Sequence, residues 1–387
     1  MYLKASAVTI LFTLVCSVAD GQPRCKVRTF GTEDGLPAGF ISGITQSTDD
    51  LLWISSWNGL TCFDGYRFTT FRSIPGKNLL PTNHLKYLVS GIQGNLWTET
   101  YTNDIFLFDS RKCSFEKINP VLPVGRDASG TAKPFRLRKI YPLENGHSWL
   151  AGKDVDHFRV TDSLLSVSDN AIEHFRLEGI LNKVTLDKAG NEWCFTSKGV
   201  YLNGTTKLSD EPFDYVLEVG GALWFVSPRG RLGCLHGSKI VMANLQNAVS
   251  GVNECAVVRG NVIALATDAG VLLYNVRDGS ERLVSIQNPS NPVASVKQMF
   301  RDSHDRLWCF NDGPGITMVE AATGAHLWLD AQLPNDLWET GSECALFHED
   351  KRKTVWVVPT GGTFAYYDAQ KRCLVPHPLR PSYSNSK

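Results

Sequence analysis

The sequence holds almost nothing at spacings that support catalysis. No Gly-x-Ser-x-Gly, His-Glu-x-x-His or phosphate loop occurs. The nine histidines (84, 147, 157, 174, 236, 304, 326, 348 and 377) lack ligand spacing, and no Cys-x-x-Cys pair suggests zinc. Most Asp and Glu residues fall in turns, where they cap backbone groups. A carboxylate pair across a central channel is the hydrolytic arrangement that a linear sequence would hide. Asn203-Gly204-Thr205 matches a glycosylation acceptor but reads first as a hairpin turn. What remains is binding chemistry. Trp57, Asn58, Tyr101, Asn103, Lys153, Lys198, Arg229, Asp268, Asn311 and Asp312 combine flat aromatic faces with amide, carboxylate and cationic groups. Aromatic platforms flanked by such groups suit a carbohydrate. Trp57 and Tyr101 are the sharpest of the set, against the competing reading that Trp57 only packs over a neighbouring unit. No catalytic residue, metal or cofactor is expected.

The elements that position these residues repeat. Leu52 to Phe71 reads as three short strands. Leu52 to Ser55 is followed by the turn pair Asn58-Gly59, then Leu60 to Phe63, then the hairpin signal Asp64-Gly65, then the alternating run Tyr66 to Phe71. Trp residues in the same setting recur at Trp53, Trp97, Trp149, Trp193, Trp224, Trp308 and Trp356, about every 44 residues. The gap from Trp224 to Trp308 is double, and Asn261 to Thr267 with Gly270 to Tyr274 fills it with a unit that lacks Trp. That gives eight units. Four antiparallel strands at this period are the signature of a β-propeller blade, so the expected fold is all-β with seven or eight four-stranded blades. Loops joining second to third strands, and outer strands to the next first strand, then emerge on one face. The ten candidate residues lie on the second-to-third loops of that face. Cys25 to Phe30 is expected to supply the outer strand of the last blade and so remove an exposed edge.

Composition narrows the setting. Lys plus Arg and Asp plus Glu are 39 each, so the formal net charge is zero and no basic patch points to nucleic acid. Lys4, the apolar run Ala5 to Ala19 and the small residues Ala19-Asp20-Gly21 read as a signal peptide over 1–21, hence export to the periplasm. Cys16 is no lipidation site by this reading, because Val15 is bulky. The nine cysteines beyond it track the repeat and are expected to be mostly reduced, buried thiols. Residues 22–379 form the propeller, Asn119 to Lys133 a surface loop, and 380–387 a frayed tail. The last unit, about 340–379, either completes an eight-bladed ring or begins a second propeller.

Asp34-Gly35-Leu36-Pro37, Leu52-Trp53-Ile54, Asn58-Gly59-Leu60 and Phe63-Asp64-Gly65-Tyr66 together resemble the two-component regulator propeller repeat. That repeat builds the periplasmic sensors of hybrid two-component systems, chiefly in Bacteroides-like bacteria. The resemblance is strong in the first unit, weaker in the fifth and sixth, and spans about 25–375. It implies a sensor with no catalysis of its own, an oligosaccharide or other small periplasmic ligand, and a homodimer formed through a parent protein. In that family, two seven-bladed propellers precede an immunoglobulin-like domain, a membrane helix and a histidine kinase. This sequence carries none of those later parts. Any membrane attachment would come through them, and the chain reads as a sensor fragment or a stand-alone propeller. A protein-interaction scaffold and a propeller glycosidase or lyase are the alternatives.

Overall fold

The computed structural model describes residues 30–37, 39–74, 76, 80–91, 94–118, 135–161, 172–247, 249–287, 294–311, 316–329, 345–359 and 365–377. The expected signal peptide, most of the strand expected at Cys25 to Phe30, the loop Asn119 to Lys133, Asp312, Cys344 and the tail lie outside these residues. Within them the chain forms eight four-stranded antiparallel sheets, each with its strands in chain order. We number them as blades 1 to 8, over 41–71, 85–117, 137–176, 181–209, 215–242, 254–284, 298–329 and 345–376. The only helical element described is a short 3-10 turn at Thr32–Asp34.

Blade 1 shows why the sequence folds this way. Its strands are Ile41–Gln46, Leu52–Ser56, Gly59–Phe63 and Phe68–Phe71. The turn between the second and third is closed by a hydroxyl. Ser56 Oγ donates to the Gly59 carbonyl at 3.2 Å and accepts the Asn58 N–H at 3.0 Å. Thr196 and Thr267 repeat this with Gly199 and Gly270 in blades 4 and 6. The glycine is obligatory. Its φ is 111° in blade 1, and an added Cβ would lie 2.4 Å from the Phe71 carbonyl oxygen of the outer strand. Hence the Gly-apolar pair that opens a third strand in the sequence.

The turn before the Trp strand carries its own device in four blades. Asp187, Asp302 and Asp350 each accept the indole N–H of the Trp six residues on, at 2.9 to 3.0 Å, while their other oxygen caps the turn's backbone N–H groups. Ser47 Oγ accepts the Trp53 indole N–H at 3.0 Å. A buried indole N–H without an acceptor is costly, so this spacing fixes the turn and the core residue together. Blade 3 has Leu143 at that place, and Glu192 of blade 4 accepts the Trp149 N–H instead, at 2.9 Å. Glu192 also accepts from Arg159, Asn145 and His147, which ties blade 3 to blade 4.

Apolar clusters lie between consecutive blades. The Trp of each of blades 1 to 5 and 7 packs toward the following blade, and Ala264 takes that place in blade 6. The strand with no Trp was therefore placed correctly by spacing alone. Blade 7 departs from the alternating run Val296 to Phe300, which reads as its first strand in the sequence. Its first strand is Gln298–Arg301, and Val296 is a buried residue just ahead of it. All seven described cysteines are free. Cys194, Cys234 and Cys309 are buried, and burial pushes the half-buried Cys62 thiol up to about 11 and Cys255 to about 12. Cys113 departs from the expectation. It is exposed, at a hairpin position with φ of 53° that faces solvent.

Candidate ligand-recognition face

In four consecutive blades the ladder runs one rung past the sheet. The residue after the second strand donates its N–H to the residue before the first strand. The pairs are Trp57 to Phe40 at 3.1 Å, Tyr101 to His84 at 3.1 Å, Lys153 to Arg136 at 2.9 Å and Ser197 to Ile180 at 2.9 Å. All eight residues are exposed. Each blade thus presents a pair of side chains at one rim position, and the sequence decides the chemistry of each pair.

Blades 1 and 2 present aromatic pairs, and these merge. The Trp57 ring stacks on His84 with centroids 5.6 Å apart and planes at 29°, and meets Tyr101 edge-on at 5.8 Å. Phe40 completes the group, 5.9 Å from Trp57. The packing reading of Trp57 is therefore half right. It does lean on blade 2, yet it keeps 47% of its surface exposed, and Tyr101 keeps 48%. Polar groups stand beside the rings. Lys86 Nζ is 3.1 Å from the buried Glu99 carboxylate and donates to Asn103 Oδ1 at 3.4 Å. Asn103 is held in the loop at φ of 63°. The Asn58 carbonyl accepts from Arg72 Nε at 3.3 Å, and the residue is half-buried. Blade 3 presents two cations, Arg136 and Lys153, with no carboxylate partner among the described residues.

The candidates named from sequence thus separate. Trp57, Asn58, Tyr101 and Asn103 come together on blades 1 and 2, and Lys153 holds the equivalent rim position of blade 3. Lys198, Arg229 and Asp268 are exposed on the loops of blades 4, 5 and 6, but no hydrogen bond, ion pair or ring contact joins them to the aromatic group. Asp268 accepts instead from Ser295 Oγ at 3.2 Å. Asn311 is a correction to the expected exposed placement: it follows the second strand of blade 7 and is fully buried. Asp312 lies outside the described residues. Sequence reasoning passed over Phe40, His84, Lys86 and Arg136. Three of them sit on the loop that enters a first strand, which by the same topology opens on the same face. Among the described residues no group of three His, Cys, Asp or Glu side chains converges as for a metal ion.

Fold and site together define a multi-bladed β-propeller with an aromatic rim. The solved structures it is similar to include a protein described as the extracellular domain of a hybrid two component system from B. thetaiotaomicron, at 15% identity and TM-score 0.38, covering 89% of this chain and 53% of that one. Another is the dihydro-heme d1 dehydrogenase NirN, at 13% identity and TM-score 0.46, covering 74% and 64%. A computationally designed protein matches at 10% identity and TM-score 0.49, covering 84% and 95%. The chain spans about half the length of the two-component system domains it matches. No family model and no curated relative matches the sequence. The propeller assignment rests on the eight sheets themselves.

Proposed function

We propose that this chain is an exported recognition propeller without catalysis of its own, and that it binds an oligosaccharide on the rim of blades 1 to 3. The observation that carries this reading is the half-exposed cluster of Phe40, Trp57, His84 and Tyr101. A sugar ring presents a flat C–H face that such a platform covers, while its hydroxyls need the amide and ammonium groups that Asn103 and Lys86 supply beside it. The resemblance of the first unit to sensor propellers supports a signalling role. On that view, ligand binding shifts the packing of a larger sensor, with the output produced by a kinase elsewhere in a parent protein. Calorimetry against a panel of neutral and acidic oligosaccharides, with product analysis of each mixture, tests the proposal. Saturable binding without turnover is expected. Cleavage abolished by one carboxylate substitution would replace this reading with a glycosidase or lyase.

A further inference from the structure

The rim positions of blades 1 to 4 differ in charge. Blades 1 and 2 hold Phe40 with Trp57 and His84 with Tyr101, and blade 4 holds Ile180 with Ser197. Blade 3 holds Arg136 with Lys153, joined by the bond from the Lys153 N–H to the Arg136 carbonyl at 2.9 Å. Like charges on adjoining positions of neighbouring strands repel. Other exposed cations of the chain are matched by carboxylates, as Lys188 is by Glu218 at 2.8 Å, Arg231 by Glu211 at 3.0 Å and Arg301 by Asp305 at 2.6 Å. Arg136 and Lys153 have no carboxylate partner among the described residues. Arg138, two residues further on, adds a third exposed cation. Its guanidinium donates to neutral acceptors of blade 4, the Leu181 carbonyl at 2.7 Å and Asn182 Oδ1 at 3.2 Å.

This cationic pair adjoins the aromatic group. Ile105 opens the third strand of blade 2 just past the Tyr101 loop, and Phe135 directly precedes Arg136. Both are buried in one apolar cluster shared by blades 2 and 3. Lys153 holds in blade 3 the position that Tyr101 holds in blade 2 and Trp57 in blade 1, and the Trp57 and Tyr101 rings are 5.8 Å apart. The carboxylate of the Tyr101 loop, Asp104, is already engaged by Lys117 at 2.6 Å and by Thr102 Oγ1 at 3.0 Å. Lys86 of blade 2 is matched by Glu99 at 3.1 Å. The unmatched positive charge at these rim positions therefore lies on blade 3, next to the Tyr101 end of the platform.

We infer that the ligand of this rim is an anionic oligosaccharide, stacked by its sugar rings on Trp57 and Tyr101 and held at Arg136 and Lys153 by a carboxylate or a sulfate ester. The inference rests on the reading of the rim as a carbohydrate site and adds the charge of the ligand. A uronate carboxylate and a sulfate ester share the chemistry that matters here, a full negative charge spread over two or more oxygens. A guanidinium offers N–H donors in a planar fork that matches paired oxygens, and an ammonium offers a compact charge on a flexible stem. An anion seated between the two also offsets their mutual repulsion. A neutral sugar does neither.

Two matched pairs of probes test this by calorimetry on the full chain: short oligogalacturonides against their methyl esters, and sulfated galactan oligosaccharides against their desulfated forms. At least one charged form is expected to bind at least about tenfold tighter than its neutral counterpart, the effect of hydrogen bonds to charged groups, and the pair that shows the difference tells carboxylate from sulfate. Arg136→Gln combined with Lys153→Gln is expected to abolish that preference and to leave the affinity for the neutral form unchanged. Both side chains are exposed, so the double variant is expected to keep its melting temperature. Arg229→Gln, on the loop of blade 5, is the control for loss of a distant charge and is expected to keep the preference. Trp57→Ala is expected to weaken charged and neutral forms alike. Equal affinity within both pairs, or a preference that survives the double variant, would overturn the inference and leave the carbohydrate site standing. Binding that Trp57→Ala leaves intact, or no binding of either charged form, would overturn the site and the inference together.

Discussion

Trp57 and Asp302 show two uses of a polar or aromatic side chain in one fold. Trp57 is half-exposed and its loss removes no core, so Trp57→Ala is expected to leave the melting temperature unchanged while it removes the platform. Asp302 is the opposite. Burial pushes its carboxyl up, but hydrogen bonds from the Trp308 indole and from the Arg306 backbone and guanidinium outweigh this and hold it below the ordinary carboxylate range. Its contribution is present above the unfolded-state pKa and is lost as pH falls through the folded one, below about pH 4. Asp302→Ala is expected to cost about 2 to 4 kcal/mol in denaturant unfolding and to weaken this acid dependence. His157 acts in a separate window. It is fully buried, its Nδ1 accepts the Gly152 N–H, and burial lowers its pKa from 6.5 to about 4, with Asp156 opposing. The unfolded chain binds a proton there that the folded chain refuses, so stability falls as pH drops from 6.5 toward 4. His157→Gln is expected to flatten that segment of the stability profile, by roughly 3 kcal/mol at the lower end. A profile unchanged in that range would contradict the assignment.

Among the elements, the turn before each Trp strand carries the clearest rule. An acceptor six residues ahead of the Trp bonds its indole in blades 1, 4, 7 and 8. Blade 2 breaks the rule, because Gly91 stands there and Trp97 Nε1 has no partner among the described residues. Gly91→Asp is expected to stabilise the protein by about 1 kcal/mol, read from the denaturant midpoint. Blade 3 breaks it differently and depends on Glu192, where His147, Asn145, Arg159 and Trp149 converge. Glu192→Ala is expected to cost about 2 to 4 kcal/mol, since it leaves the buried Trp149 indole without its acceptor and the half-buried Arg159 guanidinium with Glu173 alone.

These details also mark what the sequence discloses. The period of the Trp residues and the Gly-Leu and Asp-Gly pairs are local signals, so the count of eight four-stranded units and their strand order were legible, even across the unit where Ala264 replaces Trp. The Asp-to-Trp and Ser/Thr-to-Gly spacings were equally local and went unread. Glu192 was not legible, because its partners lie 33 to 47 residues away on another blade. The same holds for the site. Trp57 and Tyr101 were placed on the right loops, but their union with His84 and Phe40 depends on how adjacent blades approach. Asn311 is buried where the loop was expected to be exposed, because a polar type at a strand end does not reveal whether it is covered.

At the scale of the molecule, the sheets of blades 1 to 4 each hold a pair of side chains at the same rim position. Blades 1 and 2 fill those positions with aromatic rings, blade 3 with two cations, and blade 4 with Ile180 and Ser197. The proposed recognition therefore falls on one arc of the face. The proposed arc is expected to bind ligand through Trp57. The most direct test compares oligosaccharide affinity by calorimetry for the unmodified chain, Trp57→Ala and Arg229→Ala, the last on the exposed loop of blade 5 away from the cluster. The account predicts at least about tenfold weaker binding for Trp57→Ala, as for other central aromatic contacts, with an unchanged melting temperature and no effect of Arg229→Ala. Affinity that survives Trp57→Ala intact, or that is lost with Arg229→Ala instead, would contradict it.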